Sequence, residues 1–77
     1  MDAFELVFEN DNFKVYRNED VFHEYLLFYR KGSDGMVWLE YMVKDGKSII
    51  PISRNYVIES DFWMVNKCLS AVSAIKK

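Results

Sequence analysis

The chain holds one histidine, His23, and one cysteine, Cys68, forty-five residues apart. A His/Cys metal centre needs several such ligands at short, regular spacing, so no metal site is expected. Cys68 falls on the apolar side of a helical stretch, where a thiolate is disfavoured and a buried, inert thiol is expected. His23 stands alone among strand aromatics and has no second group to complete a catalytic pair. Two carboxylates are better placed. Glu24 and Glu40 are expected on adjacent strands, and a close pair would push one pKa upward. No pocket is legible around them. The three glycines, Gly32, Gly35 and Gly46, sit at turns and do not form a phosphate-cradling loop. The expectation is a non-enzyme, with no catalytic residue, no metal ligand and no cofactor.

Basic residues suggest a second chemistry. Arg30, Lys31 and Arg54 are expected to gather at one end of a sheet, beside aromatic side chains. Cations next to exposed rings can hold single-stranded nucleic acid by phosphate contacts and base stacking. Glu24 and Glu40 would repel phosphate on the same platform, and no continuous basic stripe is present. With a formal charge of −2 overall, single-stranded nucleic-acid binding is the alternative reading and not the leading one.

These residues must be positioned by a single small domain spanning 1–77. Half of the chain is apolar and 17% is aromatic, a composition that folds. A domain this short buries only about 60% of its unfolded surface, so it is thinly stabilised. A lone cysteine cannot supply a disulfide, which favours a reducing, cytoplasmic location. The first residues, Met1-Asp2-Ala3-Phe4-Glu5, carry acid where a signal peptide carries base. No apolar run reaches the ~20 residues that a membrane span requires.

Alternation of apolar and polar residues predicts a hairpin over 4–17, turning at Asn10-Asp11-Asn12. Further strands are predicted at 21–30, 36–44 and 47–52, with residues 56–58 as a short sixth strand or a lead-in. Asp45-Gly46 predicts a two-residue turn that needs positive φ twice. Pro51 places its strand at an edge. A helix follows from Ser60, its expected N-cap, with Phe62, Val65, Leu69 and Val72 as the buried stripe. The fold class is α+β: a five- or six-stranded antiparallel meander with one C-terminal helix packed on one face.

From the expected turn lengths, one sheet face carries Tyr25, Leu27, Tyr29, Val37, Leu39, Tyr41, Val43, Ile50 and Ile52. This face is the expected bed for the helix. The other carries Phe22, Glu24, Leu26, Phe28, Met36, Trp38, Glu40, Met42 and Ile49. That second face is too apolar to stand in water, and one helix cannot cover both. Either the first hairpin folds back over it, or a partner does. A one-residue register error would exchange the faces.

Trp63 lies outside the helical stripe and is either covered by residues 56–58 or the N-terminus, or exposed as an anchor. In size, aromatic content and lack of motifs, the chain resembles the small accessory and inhibitor proteins of bacterial viruses. No motif carries that likeness. The leading expectation is a protein-binding module that occludes a host protein, with a homodimer as one form of it. Its partner-binding residues are expected to be Phe28, Trp38, Met42 and Trp63, with Glu24 and Glu40 setting specificity.

Overall fold

The computed structural model describes residues 5–76, with side chains described as far as residue 72. Five strands, β1 (Glu5–Glu9), β2 (Phe13–Glu19), β3 (Glu24–Lys31), β4 (Val37–Lys44) and β5 (Ser48–Pro51), precede one helix, α1 (Glu59–Lys76). The strands form one antiparallel sheet in sequence order, β1-β2-β3-β4-β5. This is the expected meander with its C-terminal helix. The first hairpin does not fold over the sheet. It extends it, with Phe13 opposite Arg30 and Glu19 opposite Glu24.

Turn chemistry sets the strand ends. Asn10 accepts from the amides of Asn12 and Phe13 through its side-chain oxygen. Asp20 does the same for Phe22 and His23. That second turn holds Val21 and Phe22 outside β3, 91% and 83% exposed, so the strand begins three residues later than expected. Asp45 and Gly46 both adopt positive φ, as the hairpin signal requires. The loop nevertheless absorbs Lys47, and Lys44 pairs with Ser48. This one-residue slip puts Ile49, rather than Ile50, on the side of Val43. Residues 56–58 form no strand.

On β3 the helix covers the face opposite to the one expected, whereas Tyr41 and Val43 of β4 lie under it as expected. Phe13, Val15, Leu26, Phe28, Tyr41 and Val43 from the sheet are buried against Val65, Cys68 and Val72. Strand β2 explains the choice. Its Phe13 and Val15 point to the same side as Phe28, whereas Lys14, Tyr16 and Asn18 point away. Turning the helix to that side buries two more apolar residues and no lysine.

A β-bulge completes the arrangement. Phe28 pairs with Tyr41 and Tyr29 with Leu39, leaving Glu40 as the extra residue. Glu40 and Tyr41 therefore both face the helix, and Met42 is sent to the other side. A second bulge at Val7 brings both Val7 and Phe8 toward the core.

The buried arc of α1 is centred on Asp61, Val65, Cys68 and Val72. Phe62, expected in that arc, is 45% exposed. The helix is rotated because Asp61 is drawn inward by Arg30 and Tyr41. Ser60 is not the cap. The capping position falls two residues earlier, at Ile58, whose carbonyl already accepts from the Phe62 amide.

Candidate interaction surface

Two polar or apolar assemblies stand out, and only one of them is open. The closed one surrounds Glu40. Its Oε1 accepts from Arg30 Nε at 2.8 Å and Trp38 Nε1 at 3.1 Å. Its Oε2 accepts from Arg54 Nε at 2.9 Å and from the Ser53 hydroxyl. Arg30 continues to Asp61, which also accepts from Tyr41 Oη at 2.6 Å. Tyr41 Oη in turn accepts from the Ile58 amide at 3.2 Å. Strand β4, the 53–54 segment and the first turn of α1 are thereby tied together.

Burial alone would raise the Glu40 pKa, but the four donors hold it down to about 2. Burial and the hydrogen bond to Asp61 raise that of Tyr41. Among the described residues, no buried side-chain nitrogen or oxygen lacks a hydrogen-bond partner. Such a saturated, ionised carboxylate has no proton to give at neutral pH and no lone pair aimed at a substrate. The assembly joins elements of the fold.

The expected Glu24–Glu40 pair does not form. Glu40 is fully buried, while Glu24 sits near Arg17 at 3.8 Å, opposite Glu19. Phe28, expected at a partner surface, is fully buried in the core. The bulge separates Met42 from Trp38 by turning it to the other face. Trp38 is half-buried on the helix side, with its ring close over Gly32, where a Cβ would come within 2.9 Å. Trp63 is 69% exposed on the helix, its ring 5.8 Å from that of Phe62 and nearly perpendicular to it. Neither residues 56–58 nor β1 covers it. The six expected partner residues thus do not make one surface.

Of the nucleic-acid set, Arg30 and Arg54 converge on Glu40, and Lys31 lies apart on the other face. Arg30 is committed to Glu40 and Asp61 and lies over the Phe13 ring. Arg54 is committed to Glu40 and stacks near Tyr56. Lys31 pairs with Glu9 at 2.6 Å and donates to the Asn10 carbonyl. Their charge is already met inside the protein.

What remains open is the sheet face away from α1. The pairing places Leu6, Tyr16, Leu27, Met42 and Ile50 in one row that crosses all five strands. Tyr25 and Lys44 lie on one side of this row, and Lys14, Tyr29 and Leu39 on the other. Tyr16 and Tyr29 meet edge to face at 5.7 Å. With Lys14 and Val37 they line a shallow concavity of about 510 Å³. Five strands at ~4.8 Å spacing make this face about 20 Å wide.

Tyr25, Leu27, Tyr29, Leu39 and Ile50 share one face, as expected, but that face is not the helix bed. The signal that reverses the assignment is the Phe13/Val15 against Lys14/Tyr16 alternation of β2. Among the described residues no cluster of His, Cys, Asp or Glu could hold a metal ion, and no helix is long and apolar enough to cross a membrane. No protein-family model, curated protein or solved structure matches the chain.

Proposed function

We propose that this protein is a non-enzymatic protein-binding module that docks a partner on the open face of its sheet and occludes the surface it covers. The observation that carries this reading is the apolar row Leu6–Tyr16–Leu27–Met42–Ile50, which runs from edge to edge with no element of the described residues above it. Leu6 is exposed and the other four are half-buried, and a contiguous apolar row with aromatic and Met side chains has the composition of an interface core.

The sheet edges support a face-on contact over strand addition. β1 carries a bulge and two glutamates, and β5 has four residues ending in Pro51. Both devices disfavour pairing with another strand.

The test is capture by the full chain, compared with a Leu27→Glu/Met42→Glu variant. Both positions lie on the open face, so the variant should keep its unfolding cooperativity while losing its captured protein. Tyr16→Ser serves as a milder second variant. If all three forms capture the same proteins equally, or show the same self-association in sedimentation, the open face is not the interface.

A further inference from the structure

The two sides of the sheet differ in charge as well as in cover. On the helix side the carboxylates Glu5, Glu24, Glu40 and Asp61 are met by the arginines Arg17, Arg30 and Arg54, and only Glu19, opposite Glu24 at the strand end, forms no ion pair among the described residues. On the open side the charged strand residues are Lys14, Lys31, Lys44 and a single carboxylate, Glu9. Lys31 is the lysine that takes Glu9. Lys14 and Lys44 are each close enough to lower the pKa of a neighbour, Glu9 and Asp45 respectively, yet neither forms an ion pair among the described residues. They flank the apolar row from opposite sides, Lys14 on β2 and Lys44 on β4.

Resting on the reading that this face binds protein, we infer that its partner is a segment with an apolar centre bordered on both sides by carboxylates. Charge complementarity selects this occupant over two others. A second copy would present the same unmatched lysines to this face and gain no counter-charge. Nucleic acid would find two lysines where a backbone tracked across the sheet needs a longer run of cations, and would meet Leu6, Leu27, Leu39, Met42 and Ile50 between the rings. Acidic residues beside an apolar centre match both features of the face at once. The lysines then contribute orientation and association rate, and the row contributes the buried area.

The probe is a displayed library of random linear peptides, selected on the immobilised full chain. Selection should enrich sequences with aromatic or aliphatic centres and Asp or Glu on both flanks. Their affinity should fall with added salt. A Lys14→Glu/Lys44→Glu variant should weaken them by about tenfold or more and should itself select Lys or Arg at the flanks. Enriched peptides without acidic bias, or with a bias that survives the charge reversal, overturn the inference while leaving a protein-binding face intact. Peptides that bind the Leu27→Glu/Met42→Glu variant equally well overturn the face itself. Tighter binding of an oligothymidylate or oligouridylate than of any selected peptide, or self-association that excludes the peptides, also overturns it.

Discussion

Glu40 and Tyr41 are neighbours in a β-strand, yet both are fully buried on the same side of the sheet. Adjacent strand residues ordinarily face opposite ways. The bulge that opposes Glu40 to no residue of β3 removes that alternation locally, and both side chains reach the start of the helix. Glu40 gathers Arg30 and Arg54, and Tyr41 holds Asp61 and the Ile58 amide. The same bulge turns Met42 outward into the apolar row. One irregularity thus fixes the helix to one face and completes the other.

Glu40→Gln tests the first half of this arrangement. The substitution leaves Arg30 and Arg54 close together without their shared counter-charge. Removing one partner of a buried ion pair costs about 3–5 kcal/mol, and the partial exposure of both arginines lowers the expected loss to about 2–3 kcal/mol. Denaturant unfolding should show a lower midpoint with an unchanged slope. A loss under about 1 kcal/mol would mean that the arginines simply turn to water and that the assembly contributes little.

The acid limb of stability should carry the signature of the same carboxyl. Its pKa stands at about 2 in the folded chain against an ordinary 4.5. A depressed folded pKa gives stability that is fully present above the unfolded value and is lost as pH falls toward the folded one. Wild-type stability should therefore decline from about pH 4.5 down to about pH 2. Glu9, Asp20 and Asp45 are also lowered and contribute in the same direction. The difference between wild type and Glu40→Gln isolates the Glu40 part. If that difference is constant across the interval, Glu40 is not ionised against its partners in the folded state.

The elements were legible in the sequence because their signals are local. Alternation marked the strands, Asp45-Gly46 marked a turn with positive φ, and the 3.6-residue period marked the helix. The pairing was less legible. Nothing in the residues around Glu40 announces a bulge, since its cause is tertiary: two arginines and a serine from elsewhere in the chain satisfy a carboxylate that would otherwise be too costly to bury. The single-residue extension of the 45–47 loop is equally silent. Each slip reverses a strand face, so a correct list of strands still gives the wrong side for Phe28, Glu40 and Ile49, while Tyr41 and Val43 face the helix as expected. The helical arc was misplaced for a related reason: the pattern counts apolar residues, and Asp61 is buried by its partners.

The two tryptophans should report separately on the helix surface and on the Glu40 assembly. Trp63 is exposed, whereas Trp38 is half-buried and donates to Glu40. A Trp38→Phe variant, which keeps Trp63, should fluoresce at long wavelength and be quenched readily by acrylamide. Trp63→Phe, which keeps Trp38, should be blue-shifted and more protected. Replacing Trp63 by Ala should change stability by no more than about 0.5 kcal/mol, since exposed substitutions away from caps and cores rarely do more. Protection of Trp63 in the free chain would show that something covers it, with self-association as the first cause to measure by sedimentation.

Cys68 supplies a probe of the core under the helix. It lies on the sheet-facing side of α1, fully buried, and burial pushes its thiol up to about 11 despite the neighbouring Lys67. At pH 8 the folded chain should therefore react with an aromatic disulfide reagent far more slowly than the unfolded chain, whose thiol has an ordinary pKa near ~8.5. Reaction should instead follow opening of the helix from the sheet, and Glu40→Gln should accelerate it by loosening the tie at the first turn. The acceleration should parallel the loss of stability measured by denaturant if opening is global. Rapid labelling of the native chain, with a rate indifferent to both denaturant and the Glu40 substitution, would mean that Cys68 is reached through the groove beside Phe8, Trp63 and Met64 without any opening.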